Sequence, residues 1–253
     1  MRRPDPNDRV LRAGHGLRRR LVLTALCAAL GMARPAAPGF LAGRELAPGM
    51  RVSDRLAAGE HRIYPVRLRA GELLHLFVRE EDGDVAVLLR DAGGALVAHA
   101  DGPRPPQEDE ELAAVAPRDG GYRLEIAASR PGDPPGRYRL EVAELRPAGE
   151  RDRRLARALA ATQAAAELAA GPGERIAARA RSLALWRALG DGRRVAEALF
   201  RMGKLRLMLD EDETAAVLLH QAIEGYRAAG DRAGLAEALD QAARADLRLL
   251  RPR

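Results

Sequence analysis

Leu155-Ala-Arg-Ala-Leu159 returns as Val195-Ala-Glu-Ala-Leu199 and again as Leu235-Ala-Glu-Ala-Leu239, a period of 40 residues. Around the second and third copies the match widens, since Trp186-Arg-Ala-Leu-Gly-Asp191 returns as Tyr226-Arg-Ala-Ala-Gly-Asp231. Repetition at such a period is the mark of stacked supersecondary units, each covering the apolar face of the next. Within a unit the spacing is helical. Val195, Leu199, Met202 and Leu209 fall on one face, and after the polar turn Asp210-Glu-Asp-Glu213 a second helix carries Ala215, Leu219, Ala222, Ile223 and Tyr226. Gly230-Asp231 closes one unit and opens the next, glycine for a left-handed C-terminus and aspartate as the next N-cap; Gly190-Asp191 repeats the device.

Earlier helices are expected over 150–170 and 174–189, split by Gly171-Pro172-Gly173. The array therefore spans 150–253 in about two and a half units, the third with one helix as far as Leu250.

Between 44 and 146 the pattern is that of strands. Apolar residues fall at every second position in Tyr64-Pro-Val-Arg-Leu68 and Leu74-His-Leu-Phe-Val78. Strands are predicted over 51–56, 61–69, 72–79, 84–90, 95–100, 111–116, 121–127 and 137–143, separated by turns such as Ala92-Gly-Gly94 and Asp119-Gly-Gly121. So many short strands at this spacing argue for an antiparallel β-sandwich of jelly-roll type. In Tyr122-Arg-Leu-Glu-Ile126 and Tyr138-Arg-Leu-Glu-Val142, tyrosine, leucine and the β-branched residue share the core side. The chain is thus expected to be multidomain, an antiparallel β-sandwich followed by an α-helical solenoid, with the boundary at Pro147-Ala-Gly149.

Residues 1–37 read as a leader. Arg18, Arg19 and Arg20 precede the apolar run from Leu21 to Ala33, and Arg34-Pro-Ala-Ala-Pro-Gly39 follows, the pattern of a secretory signal peptide. The run is too short for a stable membrane span, which takes roughly 20 residues. Cys27 follows Leu26, where lipid attachment needs a small residue, so no lipid anchor is expected. The net charge of +6 is nearly all in this leader, which holds seven arginines against Asp5 and Asp8 up to residue 33. With 3% aromatic residues and no basic concentration elsewhere, no nucleic-acid partner is expected.

Raw material for catalysis is scarce. Past the leader there are three serines, four histidines, and no cysteine or asparagine. No nucleophile elbow, zinc-binding His-Glu-x-x-His or phosphate loop occurs, so the expectation is a protein that is not an enzyme and carries no cofactor. His61, His75 and His99 would hold a metal only if strand register brought them together, and Asp82, Asp84 and Asp101 would suit Ca²⁺; neither is expected.

The sandwich region resembles the bacterial pre-peptidase C-terminal domain through Val52-Ser-Asp-Arg-Leu56, Gly59-Glu-His61, Asp84-Val-Ala-Val-Leu-Leu-Arg-Asp91, and the closing pair Gly121-Tyr-Arg-Leu-Glu-Ile126 and Gly136-Arg-Tyr-Arg-Leu-Glu-Val142. The resemblance implies an accessory β-sandwich of secreted bacterial proteins without catalysis of its own. The helical pairs resemble the tetratricopeptide repeat. Leu199, Met202, Gly203, Ala215, Leu219 and Ala222 take the family's packing positions, with Tyr226 and Gly230 closing the unit. This chain departs from that pattern at Arg206, where an aromatic is usual, at Leu219, and in the first copy at Gln163, which stands where Gly203 does.

These resemblances imply an exported protein–protein interaction scaffold, periplasmic or extracellular, whose groove takes a peptide or protein partner. Arg201, Lys204 and Arg206 are its candidate groove residues, suited to acidic segments. Two alternatives stand beside it. The order of leader, sandwich and repeats resembles the front of proteins ending in a caspase-like CHAT peptidase domain, which would make this chain a regulatory portion or subunit. The other is glycan or cell-surface binding by the sandwich.

Overall fold

The computed structural model describes residues 40–57, 59–82, 84–101, 109–128 and 136–250; the expected leader, 1–37, lies outside them. Among the described residues nine strands precede the helices: β1 (Phe40–Ala42), β2 (Arg51–Leu56), β3 (His61–Leu68), β4 (Glu72–Asp82), β5 (Val85–Asp91), β6 (Leu96–Ala100), β7 (Glu110–Val115), β8 (Gly120–Ala128) and β9 (Gly136–Pro147). They form two sheets, ordered β1-β3-β8-β5-β6 and β2-β9-β4-β7. The pairing is nested: β2 with β9, β3 with β8, β4 with β7 and β5 with β6, all antiparallel. A long hairpin folded over itself in this way is a jelly roll.

β1 has no counterpart in the sequence reading. Three residues are too few to show an alternation, and β1 joins the edge of the first sheet in parallel with β3. β7 starts at Glu110, one residue before the strand predicted from Glu111.

Alternation does place the core. Tyr64, Leu76, Leu89, Leu124, Tyr138 and Leu140 are fully buried between the sheets. Two buried hydroxyls need partners, and Tyr64 and Tyr138 supply each other, at 2.7 Å across the sheets. Burial raises the pKa of both phenols, which keeps them protonated and able to share that bond.

Five helices follow: α1 (Glu150–Glu167), α2 (Pro172–Leu189), α3 (Gly192–Leu207), α4 (Asp212–Ala229) and α5 (Arg232–Leu249). α2 and α4 stand 40 residues apart, and their ends repeat to within a few degrees. Gly190 and Gly230 adopt φ 73° and 70°, and the amides of Asp191 and Asp231 return to the carbonyls of Trp186 and Tyr226. This is the Schellman closure. Asp191 and Asp231 then accept from the amides of Arg194 and Gly234, capping α3 and α5. Ala158, Ala198 and Ala238, the fourth residue of each pentapeptide, are all buried.

Two expectations are corrected. α3 ends at Leu207, and Leu209 lies in the turn, 38% exposed, because the chain reverses at Asp210 with a positive φ of 56°. The facing ends of the first two helices also differ: α1 stops at Glu167, where Leu168 turns extended, and α2 begins at Pro172, since proline fits the first turn of a helix. Among the described residues no helix is long and apolar enough to cross a membrane.

The sandwich and the helices meet directly. β6 and β7 are the open edges of the two sheets, and α1 lies along both, a way of blunting unpaired strands. β9 runs into α1 through a fork in which Arg146 donates to both carboxylate oxygens of Asp152, at 2.7 and 3.1 Å, while Asp152 accepts from the Gly149 amide.

Candidate functional site

α3 is the most enclosed of the helices, covered by α2 on one side and α4 on the other. Close approach to α4 depends on small residues. A Cβ at Gly203 would stand 2.7 Å from Cγ of Leu219, and one at Gly225 would stand 2.7 Å from Cβ of Ala196. Leu199, Met202, Ala215, Ala222 and Tyr226 are buried around this contact, while Gly230 forms the closing turn.

Of the candidate groove residues, Arg201 and Lys204 come together. Both sit half-buried over the Phe200 ring, at 5.9 and 5.3 Å from its centre. Arg206 is held apart, paired with Glu211 at the turn into α4.

Two cations that the sequence reading passed over join Arg201. Arg175 and Arg179, one turn apart on α2, stand where α4 carries Ala215 and Leu219. Leu219 is fully buried and Arg179 is 8% exposed, so the first unit places a guanidinium where the second places a core leucine. Burial, with Arg201 and Arg175 adding repulsion against a contribution from Glu197, pushes Arg179 down to about 10. The Nε atoms of Arg175 and Arg179 have no hydrogen-bond partner, and among the described residues Arg179 forms no ion pair with a carboxylate. A buried cation without a paired carboxylate is costly, and Glu197 offsets only part of that cost.

A second polar chain ties α3 to the sandwich. Arg194, 7% exposed in its side chain, donates from Nη2 to Glu111 on β7 at 2.7 Å, and His75 on β4 lies 3.0 Å from the other oxygen of Glu111. Burial pushes the Glu111 carboxyl up, but the His75 hydrogen bond and the Arg194 charge outweigh it, so the group lies below its ordinary value. The Arg194 guanidinium also stands over the Trp186 ring, 5.5 Å from its centre. Trp186 in turn donates to Thr162 on α1 at 2.9 Å.

Gln163, the departure from the repeat in α1, belongs to the same junction. Its Nε2 donates to the Asp101 carbonyl at 2.7 Å and to Glu167 at 2.6 Å, and His99 meets the same Glu167 oxygen at 2.6 Å. Where the second unit needs glycine to admit Leu219, the first unit reaches out to the sandwich.

The three sandwich histidines do not converge. His75 lies in one sheet and pairs with Glu111, whereas His61 and His99 lie in the other. Among the described residues no three metal-ligating side chains gather. Glu80, near Asp84, Glu110 and Asp101, is pushed up to about 7, chiefly by burial, while it accepts from the Val85 amide at 2.7 Å. The tyrosines of the sandwich are all buried.

The signal for the arginine cluster was present in the repeat itself. Aligning α2 on α4 sets Arg179 against Leu219 and Arg175 against Ala215, and an arginine at a core position asks for a reason.

No family model matches the chain, and no curated protein matches it. Among solved structures, a periplasmic inhibitor of g-type lysozyme from Aeromonas hydrophila is similar over 42% of this chain and 97% of its own, at 14% identity and a TM-score of 0.36. The pre-peptidase C-terminal domain of a collagenase from Bacillus anthracis is similar over 44% of this chain and 99% of its own, at 16% identity and a TM-score of 0.30. A mitogen from Yersinia pseudotuberculosis is similar over 36% and 81%, at 13% identity and a TM-score of 0.28.

Proposed function

We propose that the protein is an exported, non-enzymatic binding scaffold in which a sandwich of the pre-peptidase C-terminal type carries helical pairs of the tetratricopeptide type, and that the α2–α3 seam holds an acidic, extended segment of a protein partner. One observation carries the reading: Arg179 is buried with its Nε unpartnered beside Arg175 and Arg201, against the charge of Glu197, with Lys204 a turn further along α3. A carboxylate reaching this seam exchanges water for charge-assisted hydrogen bonds and removes the mutual repulsion of the cations. The anchoring of α3 to Glu111 keeps the seam in place, so little is lost in ordering it on binding. Export rests on the arginine-led apolar run from Leu21 to Ala33.

The test is fluorescence anisotropy with a labelled glutamate-rich decapeptide and its lysine-rich counterpart. The acidic peptide binds and the basic one does not, and Arg201→Glu weakens binding about tenfold or more, the loss expected when a charged hydrogen bond becomes a repulsion. Equal binding of both peptides, or an unchanged affinity in Arg201→Glu, would defeat the proposal.

A further inference from the structure

A separate cleft lies on the other side of the first unit, between α1 and the open edges β6 and β7. Its volume is about 440 Å³, within the range of small-molecule sites, and its wall is predominantly apolar. Ala98 and Val97 of β6, Ala113 and Val115 of β7, and Ala156 and Ala160 of α1 form that wall. A further recess of about 220 Å³ shares part of the wall and continues past Leu159 toward Leu96 and Leu112, with His99 and Glu111 also on its lining. Small side chains on a helix facing two strand edges leave a slot.

The cleft carries two guanidiniums, Arg153 and Arg157. Arg153 donates to the Ala148 carbonyl at 2.7 Å and forms no ion pair among the described residues; Arg157 approaches Glu150 at 3.4 Å and is 62% exposed in its side chain. Both have donors to spare for an anion.

The second unit acts as an internal control. Forty residues on, Ala156 and Leu159 recur as Ala196 and Leu199, but Arg157 becomes Glu197 and Ala160 becomes Phe200. Phe200 is buried and fills its own surroundings. The first unit thus differs from the second at two cleft positions. One difference adds positive charge, and the other removes a ring that would project into the slot.

From this we infer that the cleft between α1 and the β6/β7 edges is a binding site for a free long-chain alkyl carboxylate, its head group at Arg153 and Arg157 and its chain along Ala156, Ala160 and Ala98 toward Leu159. The charge fits the arginines, and a linear chain fits an apolar slot whose wall offers few polar groups. The inference does not depend on the peptide seam, from which none of these residues is drawn.

Isothermal titration of the full chain tests it, with dodecanoate below its micelle concentration as probe, and with dodecyltrimethylammonium and acetate to separate head group from chain. Dodecanoate binds saturably at one per chain, and the two controls do not. Arg157→Glu weakens binding about tenfold, as expected for exchanging an attractive charge for a repulsive one, and Ala160→Phe abolishes it. Both variants adopt residues that the second unit already carries on a folded helix, and thermal melting identical to the parent chain confirms that they fold. Absence of saturable binding, equal binding of the cationic surfactant, or undiminished affinity in Ala160→Phe overturns the inference.

Discussion

The first and second helical units share a sequence frame and use it differently. In the second, α3 and α4 close on glycine and alanine: Gly203 admits Leu219, and Ala196 meets Gly225. In the first, the positions of Gly203 and Leu219 are held by Gln163 and Arg179, two polar side chains buried beside Ile176, Leu183 and Trp186. The second unit is a packing solution. The first gives up part of that packing, and through Gln163 it reaches the sandwich instead. Departures from an internal repeat therefore point to function more sharply than the repeat does, because the intact copy shows what packing alone would choose.

The comparison can be broken most forcefully by transplanting the first unit's residue into the second. Gly203→Gln drives a side chain against Leu219, an overpacking of about 1–3 kcal/mol. It also buries an amide without partners, for about 1–3 kcal/mol more. The helix-propensity gain over glycine is at most about 1 kcal/mol, so the variant loses stability, by about 2 kcal/mol or more in denaturant melts. A variant as stable as the parent chain would mean that α3 and α4 are not in close contact.

The reverse transplant has the opposite sign. Arg179→Leu removes a buried charge without a paired carboxylate and supplies the residue that the second unit buries at the same place. Replacing buried charge with an aliphatic side chain of matching volume stabilises by about 1 kcal/mol or more. Stability should rise while affinity for the acidic peptide falls, two readouts that a merely structural arginine would not move in opposite directions.

The smallest effect sharpens the likeness. Asp191→Ala and Asp231→Ala each remove an N-cap of the same geometry, at about 1 kcal/mol apiece. Costs that differ by more than about 0.5 kcal/mol would show that the two unit boundaries are not equivalent.

Much of the architecture was legible in the sequence, for physical reasons. Alternation in Tyr64-Pro-Val-Arg-Leu68 and in the two Tyr-Arg-Leu-Glu strands reports burial directly, and Gly-Asp pairs report helix ends because few other residues accept both conformations. β1 was not legible, since its pairing with β3 is dictated by the neighbour and not by its own three residues. The C-terminus of α1 and Leu209 were misplaced because periodicity runs on through a turn without noticing it. Among site residues, Arg201 and Lys204 meet over Phe200, whereas Arg206 is taken by Glu211, a pairing visible only once the turn is closed. The junction of Arg194, Glu111 and His75 joins residues 83 and 36 positions apart, and no local pattern encodes it.

That junction is one of the ties between the sandwich and the helices, and it admits a direct test. A double-mutant cycle with Arg194→Met and Glu111→Gln, read by equilibrium unfolding, isolates the energy between α3 and β7. The account predicts a coupling of about 1–3 kcal/mol, as for residues in one buried hydrogen-bonded network. A coupling within about 0.3 kcal/mol of zero would mean that the helical units are not anchored to the sandwich there.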